Sequence, residues 1–318
     1  MTRIVVLGAL GHIGSAVIRS QALIAACDEI VLVDDLSTQR YSSLFDLPAT
    51  GHYRFIHGDA GALVQTLVDD DVLAVVQLAG ASDPSAIAAD PQLAINNNLR
   101  ITRMAVQACG SAGVPLIFPS STSVYSQSGL GLDEASATAG LHPYAQCKLD
   151  EESEVMRAFG QGLRGNIFRF GTIVGPSPGM RFHTAVNRFC WQAATGTPLS
   201  VWSSALHQVR PYLAITDAIA AIEHSITREL WTQSIINAAS FNVTVADVIA
   251  VITRAIPDLA IETVQSAVMN DLSYSVSTQR AMEAGFIFTG SLDTAVSRTL
   301  TLLRGLVATQ DAAQSPDA

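Results

Sequence analysis

The sequence predicts an α/β protein: a doubly wound parallel sheet carrying a smaller C-terminal lobe. Three observations lead there. Arg3 to Leu7 is an apolar run ending at Gly8, the pattern of a strand covered on both faces. Glycines at 8, 11 and 14 follow, and Ser15 to Cys27 then carries helical periodicity. Beyond Gly171 the alternation of strands and helices gives way to loops and short strands.

Taken in order, the first unit continues with Glu29 to Asp35, a second buried strand ending in acid. Asp34 lies 20 positions beyond Gly14, so strand, glycines, helix, strand and acid match the layout of a dinucleotide-binding βαβ unit. Gly8, Gly11 and Gly14 let backbone approach a pyrophosphate, and Asp34 can accept from ribose hydroxyls. His12 and Ile13 lie within the loop and Asp35 beside Asp34, which makes them candidate cofactor contacts too. Tyr53 to Ile56 reads as a short strand ending at His57-Gly58-Asp59, and Val72 to Gly80 as a longer one. Pro91 to Ala112 reads as a helix, Pro115 to Ser121 as a strand, Pro143 to Phe159 as a helix and Gly165 to Phe170 as a strand. Such alternation implies a parallel sheet with ligands outside the carboxyl ends of its strands, where Asp34, Gly80, Ser121 and Gly171 fall. A Rossmann-type domain over residues 1–171 is therefore expected, with a strand and helix near 216–256 returning to it.

Residues 172–307 read mainly as a lobe that covers the substrate and interleaves with the first domain. Gly175-Pro176-Ser177-Pro178-Gly179 is a loop, Phe182 to Ala194 a helix, and Leu199 to Trp202 and Val209 to Leu213 short strands. Thr216 reads as the cap of a helix through Arg228, and Ser234 to Ala238 as a strand. Helices follow at Val245 to Ala255, Ser277 to Ala284 and Leu292 to Leu306, and Ala308 to Ala318 reads as a disordered tail.

Composition bounds the partners. With 49% hydrophobic and 14% charged residues the chain is globular, and a net charge of -10 with scattered Lys and Arg disfavours nucleic acid. Anionic small molecules remain accessible, because one or two arginines suffice for a diphosphate. Four widely spaced cysteines show no metal-ligand rhythm, and neither His12 nor His142 has the companions a metal requires. The N-terminus enters a strand at once and no apolar run nears the ~18 residues needed to span a bilayer, so a soluble cytoplasmic protein is expected.

Chemistry centres on His142-Pro143-Tyr144-Ala145-Gln146-Cys147-Lys148. Pro143 suits a first helical turn, and i,i+4 spacing brings Tyr144 and Lys148 onto one face. A free phenol titrates near pH ~10, so a phenolate base near neutrality needs about 4 kcal/mol of differential stabilisation. A neighbouring ammonium supplies part of it, and a nicotinamide cation can supply more.

With these motifs assembled, the sequence resembles the extended short-chain dehydrogenase/reductase superfamily, in its NAD-dependent epimerase/dehydratase branch typified by UDP-glucose 4-epimerase. The carriers span residues 3 to 304: the glycine loop, Asp34, Gly58-Asp59, Leu78-Ala79-Gly80, Asn98, Ser120 to Tyr125, Tyr144 with Lys148, Gly175-Pro176, and Arg210-Pro211-Tyr212 followed by Asp217. The resemblance implies Ser121 positioning a substrate hydroxyl, Tyr144 as acid/base, and Lys148 holding the nicotinamide ribose. It implies NAD as cofactor, with Asp59 and Ala60 near the adenine and Leu78, Ala79, Gly80 and Asn98 lining the site; Arg40 lies close to Asp34. It also implies a nucleotide-sugar substrate met by Arg210, with Arg181 a second candidate; Ser82, Thr122 and Thr172 are candidate substrate contacts as well, although Ser82 and Thr172 depart from the family pattern, which can have a basic residue and often has an asparagine there. Dehydratase relatives carry Asp-Glu directly after the catalytic threonine, and decarboxylase relatives a Glu at the second of those positions. Thr122 and Ser123 stand there instead. The expected reaction is therefore inversion at C4 of a UDP-sugar through a keto intermediate. A reductase on the same scaffold and a non-catalytic NAD sensor are the alternatives. Relatives commonly dimerise through the helices at 92–112 and 143–159, so a homodimer is expected.

Overall fold

In the computed structural model the described residues are 1–82, 87, 89–264, 272–304 and 306. The expected tail, 308–318, lies outside them. The strands of the N-terminal half are β1 (Arg3–Leu7), β2 (Glu29–Asp34), β3 (Tyr53–His57), β4 (Val72–Gln77), β5 (Leu116–Ser121), β6 (Gly129–Leu132) and β7 (Gly165–Phe170). Those after it are β8 (Thr172–Val174), β9 (Leu199–Trp202), β10 (Val209–Ala214), β11 (Ile235–Ala238), β12 (Phe241–Thr244), β13 (Ile261–Val264) and β14 (Tyr274–Val276). Among the described residues seven strands form one sheet in the order β11-β7-β5-β4-β1-β2-β3, every pairing parallel. The order reverses direction beside β1, between β4 and β1. That is where a doubly wound sheet opens a crevice at its strand ends.

The helices are α1 (His12–Val17), α2 (Gln21–Ala26), α3 (Ala60–Leu67), α4 (Pro91–Ala112), α5 (Pro143–Phe159), α6 (Ala185–Ala194), α7 (Ile215–Thr227), α8 (Val245–Ala255), α9 (Gln279–Glu283) and α10 (Leu292–Leu302). One apolar layer joins α1, α2 and α7 to the sheet through Val17, Leu23, Ala218 and Ile222. The other joins α3, α4 and α5 through Val64, Ala105 and Val155. Strands buried on both faces read as unbroken apolar runs for this reason. A third core, under α6, α8 and α10, belongs to the C-terminal lobe, whose small sheets are β12-β10-β8, β13-β9 and β14-β6.

Several boundaries differ from those expected, each for a local reason. The helix read over Ser15–Cys27 is two helices, because Ser20 adopts an extended conformation and its hydroxyl accepts from Leu23 N to cap a new start. The strand read to Gly80 stops at Gln77, whose side-chain amide bonds both polar backbone groups of Ala79. Thr216 is not a cap: β10 runs straight into α7 and Ala214 holds the cap position. The helix read from Phe182 begins at Ala185, and the last one ends at Leu302.

Candidate active site

The glycine loop joins β1 to α1 under tight steric limits. A Cβ at Gly8 (φ +75°) would lie 2.6 Å from the Leu78 and Ala79 backbone, and one at Gly14 would lie 2.5 Å from the Gly8 carbonyl. A Cβ at Gly11 would find its nearest backbone atom at 3.4 Å, the loosest of the three positions. Close packing of Gly8 and Gly14 onto neighbouring backbone is what a dinucleotide-binding turn requires. Asp34, at the end of β2, steadies the loop: its Oδ2 accepts from Leu10 N at 3.0 Å and its Oδ1 from Leu36 N at 2.9 Å. Asp35 likewise accepts from Ser37 N. Ile13 packs against the apolar layer beneath.

Over this loop lies Gly175–Gly179. Ser177 Oγ donates to the His12 carbonyl at 2.8 Å, Gly179 N to Ser15 Oγ at 2.9 Å, and Arg40 Nη1 to the Gly179 carbonyl at 2.8 Å. The His12 ring lies 2.8 Å from the Gly175 carbonyl through Nε2. Burial, opposed by that hydrogen bond and assisted by Arg40, His183 and Arg181, pulls the His12 pKa down to about 4. Arg40 is lowered to about 10 by burial and by Arg181, against Asp34. Arg40 and Arg181 thus gather positive charge beside the glycine loop. Arg181 Nη2 donates to Ser82 Oγ at 2.6 Å, so two residues expected at the substrate meet each other.

Asp59 and Asn98 have protein partners. Asp59 caps α3 by accepting from Ala62 N at 2.7 Å and forms a two-point pair with Arg100 at 3.0 and 2.6 Å, which holds its carboxyl below the ordinary range. Ala60 is buried at the start of that helix. Asn98, 1% exposed on α4, grips both backbone polar groups of Ala81 at 2.8 and 2.9 Å and fills the space a Gly80 side chain would need. Its amide also donates to Cys147 Sγ at 3.4 Å, linking the loop after β4 to α5.

The catalytic candidates lie on β5 and α5, which pack together. Ser121 ends β5, and its hydroxyl accepts from Ser123 N at 3.2 Å. Thr122 is 3% exposed, and its carbonyl accepts from the Tyr274 hydroxyl. His142 caps α5 by accepting from Ala145 N, Pro143 takes the first turn, and the His142 and Tyr144 rings stack at 6.3 Å. Burial and the nearby Arg210 lower the His142 pKa. Arg210 lies over the Tyr274 ring at 5.4 Å and bonds Gln208, while Thr172 opens β8 against Tyr212. Lys148 reaches Glu151 Oε2 at 3.0 Å, the Pro119 carbonyl at 3.4 Å and the Phe118 ring at 4.8 Å. Burial works against its ammonium, but Glu151 and the Tyr144 phenol outweigh burial and raise its pKa above the ordinary lysine value.

Two supporting groups were missed by sequence reasoning. A buried ion pair joins Arg169 of β7 to Glu152 of α5 at 2.9 and 2.8 Å, and Ser120 donates to the same carboxylate. The signal was an arginine inside an otherwise apolar strand. Glu151, also buried, gave no such signal. Among the described residues no His, Cys, Asp and Glu group could hold a metal ion, and no helix is long and apolar enough to cross a membrane.

The model of the NAD dependent epimerase/dehydratase family matches residues 4–239. A UDP-glucose 4-epimerase of Azospirillum brasilense is 31% identical over 186 residues, covering 56% of this chain and 51% of that protein, so the match spans about half the relative's length. A Bacillus cereus UDP-glucuronic acid 4-epimerase, solved with NAD and a fluorinated UDP-sugar, superposes with a TM-score of 0.86 at 21% identity over 96% of this chain and all of that one. A Streptomyces venezuelae dTDP-glucose 4,6-dehydratase superposes with a TM-score of 0.83 at 21% identity, covering 95% and 97%. At such identities these two structures attest the shared fold. The matched span holds the glycine loop, Asp34, Ser121, Tyr144, Lys148 and Arg210, and the chain belongs to the NAD dependent epimerase/dehydratase family, with NAD as its cofactor.

Proposed function

We propose that the protein is an epimerase that inverts C4 of a UDP-sugar through a transient keto intermediate. The observation that carries this reading is the site's set of protic groups: a hydroxyl at Ser121, a phenol at Tyr144 and an ammonium at Lys148, with hydroxyls rather than carboxylates at Thr122 and Ser123. Removing water from a sugar requires an acid and a base at neighbouring carbons in addition to the groups that serve C4, and positions 122 and 123 offer no carboxylate for that work. The 4-epimerase relative supports the same reading.

In this reading Gly8, Gly11, His12, Ile13 and Gly14 border the pyrophosphate, Asp34 and Asp35 the adenosine ribose, and Asp59 and Ala60 the adenine. Leu78, Ala79, Gly80 and Asn98 line the nicotinamide side. Ser82, Arg181, Thr172, Thr122 and Arg210 meet the nucleotide sugar. NAD, held by these residues, would supply reversible hydride acceptance at the sugar carbon. Ser121 orients the C4 hydroxyl, Tyr144 takes its proton as the carbonyl forms, and the same phenol returns that proton after the keto-sugar has turned. Lys148 stays protonated throughout and holds the ribose. Proton and electron counts both close, so nothing is consumed. The exposed Leu93 of α4 and Met156 of α5 suit a homodimer through those helices, and four free thiols suit a reducing cytoplasm.

The test is incubation of the protein, without added NAD, with UDP-, GDP- and dTDP-sugars, followed by chromatographic separation of epimers. A UDP-sugar converted to its C4 epimer with no net cofactor reduction supports the reading. Stoichiometric appearance of reduced nicotinamide, or a 4-keto-6-deoxy product, refutes it.

A further inference from the structure

Glu151 is 1% exposed and faces the side of Lys148 away from solvent. Its two oxygens are divided between two helices. Oε1 accepts from Thr102 Oγ1 of α4 at 2.7 Å, and Oε2 meets the Lys148 ammonium at 3.0 Å and the Cys147 thiol at 3.7 Å. A carboxylate withdrawn from water is retained only where it is paired and hydrogen-bonded, and here both conditions hold at the amine next to the phenol. The other groups around the pair come from three elements. From α4 come Thr102 and Asn98, from β5 the Phe118 ring and the Pro119 carbonyl, and from α5 the Tyr144 phenol and the Cys147 thiol. Burial, then Glu151, pushes that thiol up to about 12, so it stays protonated.

We propose that Glu151 is a positioning residue for the acid/base pair, fixing the Lys148 ammonium and cancelling part of the positive charge that Tyr144 and the cofactor ribose meet. This rests on the reading of Tyr144 and Lys148 as that pair. Glu151 touches neither substrate nor cofactor and acts through the ammonium. Anchoring to Thr102 makes the placement of the Lys148 ammonium depend on the packing of α4 against α5, the same two helices that carry the exposed Leu93 and Met156. The cancellation has a cost in phenolate formation and a gain in placement. It keeps a long flexible side chain in one geometry.

The experiment compares Glu151→Gln with the unaltered holoenzyme in two readouts. One is the pH dependence of epimer interconversion. The other is the ultraviolet phenolate titration, taken as the difference from Tyr144→Phe. With the charge removed and the amide still able to accept from Thr102, the acid limb and the phenolate midpoint should both move to lower pH by about one unit. Glu151→Asp should restore the original limb. If Glu151→Gln fails to fold, Glu151→Met removes the same charge at similar volume and should give the same displacement. Turnover lowered equally at every pH, with limb and midpoint unmoved, would show a purely structural carboxylate and overturn the proposal, as would movement to higher pH. Tyr144→Phe separates the two readings: full turnover in that variant removes the acid/base assignment itself, whereas lost turnover with an unmoved limb in Glu151→Gln removes only the role given to Glu151.

Discussion

The half that carries the glycine loop and the C-terminal lobe use similar residues differently. Around the glycine loop, polar groups are spent on one another: Asp34 on two backbone amides, Ser15 and Ser177 on the loop that crosses it, Asn98 on Ala81. In the lobe, Thr184 Oγ1 and Arg188 Nε are buried with no hydrogen-bond partner among the described residues, as are Tyr53 Oη and Ser123 Oγ away from the glycine loop in the N-terminal half, and Arg188 also lies over the Phe189 and Trp202 rings. A site that must hold one constant cofactor can be preorganised by its own backbone.

Substitutions can break or sharpen this contrast. The largest effect is expected from Tyr144→Phe, which removes the only proposed acid/base and should cut turnover by about 10²–10⁴-fold with the melting temperature unchanged. Arg169→Met strands the Glu152 carboxylate beneath the site and should destabilise the fold by about 3–5 kcal/mol, read by denaturant titration. Gly179→Ala places a methyl against the carbonyls of Leu10 and Gly11, the latter at 2.5 Å. A cost of about 1–3 kcal/mol and faster loss of NAD on gel filtration should follow, because the crossing loop must lift. Asp59→Asn weakens a half-exposed pair and a cap, for about 1 kcal/mol or less by the same titration.

A pH test probes the same half. His12 titrates at about 4 in the folded chain and near 6.5 unfolded. The unfolded chain therefore binds the proton first, and the stability present above pH 6.5 is lost progressively as pH falls towards 4. Denaturant midpoints across that window should fall less steeply for His12→Gln than for the unaltered protein. Parallel slopes would show that His12 does not carry the effect.

Legibility followed the same divide. Apolar runs and glycine spacing revealed the parallel sheet, and Pro143 marked the start of a helix found at Pro143–Phe159. These are local signals with a fixed period. The crossing of Gly179 over Gly11 joins residues far apart in sequence, and Gly175-Pro176-Ser177-Pro178-Gly179 alone says only that a loop is present. Glu151 was hidden differently: within Lys148-Leu149-Asp150-Glu151-Glu152 it resembles a solvated helix face, and only the packing of α4 buries it. Asp59 illustrates the reverse case, where a motif acid is engaged by a cap and an arginine. The lobe's strands β8, β12, β13 and β14 were not foreseen, since strands of three or four residues leave too short a pattern to read.

The most direct test of the central claim follows a label. A UDP-sugar carrying deuterium at C4 is incubated with the purified protein and no added NAD, and the epimer is examined by mass spectrometry and NMR. Oxidation and reduction at a single carbon within a closed site predict inverted C4 with its deuterium retained. Inverted product that has exchanged its label with water, or labelled material that accumulates unsaturated or deoxygenated at C6, would contradict the account.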